Sequence, residues 1–127
     1  MRYSAAGMAL VAFGLLFTAP AAQAQEELPD GVTDEMIANG KTVFGGAGIC
    51  MVCHGPQGAG IANLGADLTD DEWLHSDGTY EGILATIEAG VAADKSSTGG
   101  VMPPKGSSSI SDEQVKAVAA YVWSLSS

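Results

Sequence analysis

The chain predicts an all-α domain of three to five short helices, and three observations carry that expectation. Apolar residues recur at helical spacing in separate segments between positions 33 and 125, each opened by a residue suited to capping. No segment reads as a strand. The only two cysteines fall in Cys50-Met51-Val52-Cys53-His54, a C-x-x-C-H run of the kind at which one haem is attached covalently, and a prosthetic group of that size supplies apolar area that a small helical domain lacks.

Residues 1–24 read as a signal peptide. Arg2 is its positive start, Ala5 to Ala19 is an apolar run relieved by Thr18, and Ala22-Gln23-Ala24 is a small-residue cleavage site. The run is shorter than the roughly 20 residues that cross a bilayer. The expectation is cleavage after Ala24, no stable membrane insertion afterwards and a periplasmic address. Residues 25–32 are polar, carry Pro29 and Gly31 and read as a flexible leader; the domain proper is 33–127.

The first helix starts with Thr33 as N-cap and Asp34 and Glu35 in its first turn. It carries Met36, Ile37, Val43 and Phe44 on its apolar positions and stops near Gly45-Gly46. A second helical turn bears the C-x-x-C-H run, and Gly55-Pro56-Gln57-Gly58-Ala59-Gly60 leaves it as a loop. Leu68 to Trp73 reads as a short helical turn, with Thr69 and Glu72 as a capping box. Thr79 to Ala89 is a longer helix with Tyr80, Ile83, Leu84 and Ile87 on one stripe and Gly90 as its stop. Ala92 to Gly100 has no periodicity and reads as a loop. In the last helix Ser111 and Gln114 form a capping box and Ile110 and Val115 a staple. Val115, Val118, Ala119, Val122 and Leu125 make its apolar face.

On one turn, Cys50 and Cys53 point to the same side, where two thioethers can reach one porphyrin edge, and His54 follows as the proximal iron ligand. A zinc site is an alternative, with Cys50, Cys53, His54 and His75 as ligands, but adjacent Cys53 and His54 do not match the paired spacings of structural sites. A redox pair or disulfide is another, although no strand pattern precedes Cys50. For the sixth ligand of an electron-transfer haem, usually a methionine, Met102 is the candidate. It lies in Gly99-Gly100-Val101-Met102-Pro103-Pro104, where glycines permit close approach and Pro103 and Pro104 stiffen the loop. An unligated core methionine and His75 as the distal ligand stand as alternatives. The ring is expected among Val52, Ile61, Leu64, Leu84 and Ile87.

The formal charge is minus 10, from 5 basic and 15 acidic residues. Such a surface repels nucleic acid and anionic lipid and steers towards a protein with a basic docking face, unless the acidity serves solubility alone.

In helix order, motif and Met-Pro loop, residues 33–127 resemble the class I monohaem cytochromes c. Gly40 and Phe44 are similar to that family's small and aromatic pair on the first helix, and Tyr121 to its partner on the last, which implies that these two helices cross near Gly40. The segment Asn63-Leu64-Gly65-Ala66-Asp67-Leu68-Thr69-Asp70-Asp71-Glu72-Trp73-Leu74 resembles the dihaem cytochrome subunits of C-type haem-copper oxidases. That likeness implies Trp73 beside the haem propionates. Those relatives place a proline before this stretch whose carbonyl holds the proximal histidine; Ala66-Asp67 stands here, leaving Pro56 or the backbone near Ala66 as candidates. The resemblance implies a small cytochrome c fold with one covalent haem c, held by Cys50, Cys53, His54, Met102, Trp73 and Pro103, with His54 and Met102 on the iron. It implies a monomeric, non-enzymatic single-electron carrier serving an oxidase, a quinol-oxidising cytochrome complex or a periplasmic dehydrogenase. A ligand-binding sensor or small peroxidase with a labile sixth ligand is the alternative.

Overall fold

The computed structural model describes Gly14 and residues 26–127; apart from Gly14, the signal-peptide reading of 1–24 lies outside the described residues. Four α-helices follow in order, α1 (Asp34–Gly45), α2 (Met51–His54), α3 (Tyr80–Ala89) and α4 (Asp112–Leu125), with a 3₁₀ turn at Pro104–Ser107 between the last two. Among the described residues there is no strand, and two isolated bridges, Ile61 with Gly65 and Val91 with Met102, are the only β-type pairings. No helix among them is long and apolar enough to cross a membrane.

The starts of α1, α3 and α4 follow from capping chemistry. The hydroxyls of Thr33, Thr79 and Ser111 accept the backbone N–H of Met36, Gly82 and Gln114 at 3.2, 3.0 and 3.2 Å. At α4 the Gln114 side chain also accepts the Ser111 N–H at 2.9 Å, completing the reciprocal box. Just upstream of α1 the leader is docked rather than loose at its end. Gly31 adopts φ 78, the Val32 N–H bonds the Pro29 carbonyl at 3.0 Å, and the Val32 side chain is buried.

Packing centres on the crossing of α1 and α4. A Cβ at Gly40 would overlap the Ala117 carbonyl and lie 2.8 Å from the Tyr121 Cβ, so the missing side chain is what lets the two backbones touch. One turn on, the Phe44 and Tyr121 rings meet edge to face, with centroids 5.3 Å apart and planes at 69°. Phe44, Val115 and Val118 are the largest fully buried side chains. Against the same helix α4, α3 buries Tyr80, Ile83 and Ile87.

The turn of helix expected over Leu68–Trp73 does not form. Thr69 donates both its N–H and its hydroxyl to Asp67 Oδ1, at 2.8 and 2.6 Å, and the Glu72 N–H is taken by Asp70 Oδ1 at 3.1 Å. These side-chain acceptors compete with a helical ladder. The same local bonds occur where Asp77 receives Thr79, yet α3 follows there. The difference is the stripe of Ile83 and Ile87, which gives a helix something to bury; Asp70, Asp71 and Glu72 offer none.

Candidate functional site

The C-x-x-C-H run occupies the single turn α2 and the residue before it. Cys50 and Cys53 are both half-buried and free. The Cys50 Sγ donates to the Gly48 carbonyl at 3.4 Å. Burial pushes its thiol above the ordinary range; the bond to its backbone lowers it, and the neighbouring Cys53 raises it again. His54 is fixed by a contact the sequence had narrowed to two candidates: its Nδ1 lies 2.9 Å from the Ala66 carbonyl oxygen. A carbonyl can only accept, so Nδ1 carries the proton and Nε2 keeps a free lone pair for a metal.

Across the cleft, Met102 is held by its own backbone. Its N–H donates to the Val91 carbonyl at 3.0 Å, and the Val91 N–H donates to the Met102 carbonyl at 2.7 Å. This pair closes the Ala92–Val101 loop and ties the methionine segment to the end of α3. Gly90, which caps α3 with φ 70 and ψ −177, is indispensable to it. A Cβ there would overlap the Met102 carbonyl and lie 2.8 Å from Pro104 N. Beyond Pro103 the chain turns sharply through Lys105 and Gly106 at φ 53 and 61, and the Lys105 Nζ reaches Asp112 Oδ1 at 2.8 Å. The sequence had offered no sign of this turn.

Cys50, Cys53, His54, Trp73, Met102 and Pro103 all line one cleft. Its floor is Phe44, Ile83, Ile87, Val118 and Val122. Five of the six exposed large hydrophobics among the described residues, Ile49, Val52, Leu64, Leu74 and Val101, stand along it. Two expected wall residues are elsewhere: Leu84 is half-buried against the core and Ile61 sits in its own bridge with Gly65, since a one-position step around a helix or turn is enough to change faces. Val52 lines the cleft but is 62% exposed, so it belongs to the rim. His75 is half-buried on the cleft wall, where its Nε2 accepts the Ser97 N–H at 3.1 Å. Among the described residues no three His, Cys, Asp or Glu side chains converge as a metal cluster, so the four zinc candidates are not gathered.

Residues 35–122 match the family model described as cytochrome C oxidase, cbb3-type, subunit III. The chain belongs to this family. Its similar proteins include the cbb3-type cytochrome c oxidase subunit FixP of Sinorhizobium medicae, 38% identical over 122 residues, which cover 87% of this chain and 41% of the relative. The CcoP subunit of Rubrivivax gelatinosus is 38% identical over 79 residues, 61% of this chain and 23% of that protein. The chain thus spans well under half the length of these relatives. Among solved structures, cytochrome CL from Methylophaga aminisulfidivorans superposes with a TM-score of 0.57 at 26% identity, over 75% of this chain and 56% of that one. The fold is therefore the small all-α cytochrome c fold.

Membership in a c-type cytochrome family implies a covalently bound haem c, and the cleft fits one. Two thiols stand on one wall beside an imidazole whose Nε2 is free, and the floor formed by Phe44, Ile83, Ile87, Val118 and Val122 is apolar. A cleft that leaves five large hydrophobics exposed along it is built to be covered by an apolar group.

Proposed function

We propose that this protein is an exported, periplasmic one-electron carrier with a single haem c. Cys50 and Cys53 would anchor the ring, His54 Nε2 and the Met102 thioether would hold the iron, Trp73 would donate to a propionate and Pro103 would brace the methionine. When bound, such a group supplies a ferric–ferrous couple that takes up or releases one electron. The residues around it do the rest. The Ala66 carbonyl orients His54 and fixes its tautomer. The Val91–Met102 pair presents the sulfur from a loop with little freedom to lose, and the apolar floor of Phe44, Ile83 and Val118 excludes water. A thioether and a dry surrounding both favour the ferrous state, so the potential is high.

One observation carries the reading: His54, with its Nδ1 committed to Ala66, and Met102, clasped to Val91, wall the same apolar cleft. The names of the relatives as oxidase subunits support a terminal oxidase as partner, and the excess of carboxylates supports a basic docking face on it. The acidic surface equally supports the absence of nucleic acid among the partners, and the protein works as a monomer.

The test is a spectroscopic redox titration of material matured in a host that attaches haem c, followed by carbon monoxide. A reversible one-electron transition that carbon monoxide does not disturb is expected. Rapid carbon monoxide binding at neutral pH would instead assign a gas sensor or small peroxidase. A Met102→Ala variant is expected to turn the ferric protein high-spin or water-ligated; an unchanged low-spin spectrum removes Met102 from the iron.

A further inference from the structure

Trp73 lines the haem cleft and also a second groove, which it shares with Trp123 and Tyr80 and which is bordered by Asp30, Asp77 and Glu81. Among the described residues Trp73 is the one aromatic side chain that lines both. Its indole lies directly against Gly78, where a Cβ would stand 2.5 Å from the ring, so the ring is held in place from below. Asp77 takes two bonds from Thr79, which hold its carboxyl below the ordinary range and keep it ionised.

Among the described residues no basic side chain lines this groove. Lys116 comes near enough to Tyr80 to influence the phenol, but its Nζ is engaged by Glu113 at 3.0 Å. The charge asymmetry extends beyond the walls. Residues 26–30 and 67–81, which supply most of the groove, hold nine of the fifteen carboxylates and none of the five basic residues. Flat aromatic walls with a carboxylate border match a planar cation, because ring faces and carboxylates both attract it and the ring sheds little entropy in holding it.

We propose that this groove is a docking site for an arginine side chain of the redox partner, its guanidinium stacked against Trp73 and Trp123 between Asp30, Asp77 and Glu81. The inference rests on the electron-carrier reading and adds to it where the partner's basic face engages. It places that contact one indole away from the haem cleft rather than at the cleft's apolar rim.

The experiment titrates the ¹⁵N-labelled ferrous holoprotein with the capped peptide acetyl-Arg-Arg-Arg-amide at low ionic strength, about 0.01 M, where screening is weak. The indole N–H resonances of Trp73 and Trp123 are expected to shift together and saturate. In the double variant Asp30→Asn, Glu81→Gln the affinity is expected to fall about two- to thirtyfold, the range for removing two exposed ionic contacts. Trp123→Leu is expected to weaken binding as well. The control Glu88→Gln, Asp94→Asn makes the same change of net charge away from the groove and is expected to stay within about twofold. Equal weakening by both double variants, or shifts confined to the backbone amides of Val52 and Val101 at the cleft rim, overturns the site. Binding is read without electron transfer. A reversible one-electron titration with no indole shift therefore overturns the groove alone, and indole shifts in a protein without that titration overturn the carrier reading alone.

Discussion

Replacing Gly90 with alanine tests how the methionine segment is held. The residue sits at φ 70 and ψ −177, a conformation essentially reserved for glycine, where another residue costs about 1–3 kcal/mol. The new methyl would also overlap the Met102 carbonyl and press on Pro104 N and the Pro103 carbonyl carbon, at 2.8 and 2.9 Å. Those are backbone atoms with no rotamer to escape through, so overpacking adds about 1–3 kcal/mol. The expected destabilisation is about 2–6 kcal/mol by the sum of the two. It is relieved only by loosening the Val91–Met102 pair of hydrogen bonds. Guanidinium unfolding measures the first effect, and the sulfur-to-iron charge-transfer band of the ferric protein measures the second. Gly99→Ala is the matched control: its φ is 83, but nothing lies within 4 Å of the added Cβ, so only conformational strain of about 1–2 kcal/mol is expected. If Gly90→Ala costs no more than Gly99→Ala and keeps its band, the close-approach argument is wrong.

Gly40→Ala pushes a methyl into the Ala117 carbonyl and is expected to cost about 1–3 kcal/mol in chemical unfolding; a neutral result would mean the helices slide apart freely. Ser111→Ala removes the hydroxyl acceptor of the α4 capping box, with an expected loss of about 0.5–2 kcal/mol, read in the same assay. Asp67 is held below the ordinary carboxylate range, first by the Thr69 hydroxyl and then by its N–H. Its folded value is the depressed one, so its contribution is complete above the unfolded value near 3.9 and disappears as pH falls through the lower folded value. Carboxyl NMR should show Asp67 titrating below its ordinary range, and Thr69→Val should move that titration upward; no movement would remove the hydroxyl as the cause.

Much of the site was legible in linear order because its chemistry is local. Cys50, Cys53 and His54 share one turn, so their common direction follows from helical geometry before any folding is known. Met102 was singled out by the glycines and prolines around it, and the structure places it on the same cleft. The partner of His54 was narrower than a guess and wider than an answer, because Ala66 contributes a carbonyl, which every residue has. The turn at Leu68–Trp73 misled for a related reason. Thr69 and Glu72 spell a capping box, but Asp67 and Asp70 were nearer acceptors, and composition does not say which acceptor wins.

What the order of residues determined alone was α1, α3 and α4 with their caps and the turn that carries Cys50, Cys53 and His54, since each depends on groups within about four positions of one another. What only the tertiary structure decided was everything joining distant segments. The Gly90 backbone lies under Met102 to Pro104, His75 stands on the cleft wall, and one indole is shared between two grooves. Those contacts arise when apolar faces close on each other, and they engage backbone atoms and ring faces that carry no signature in the sequence.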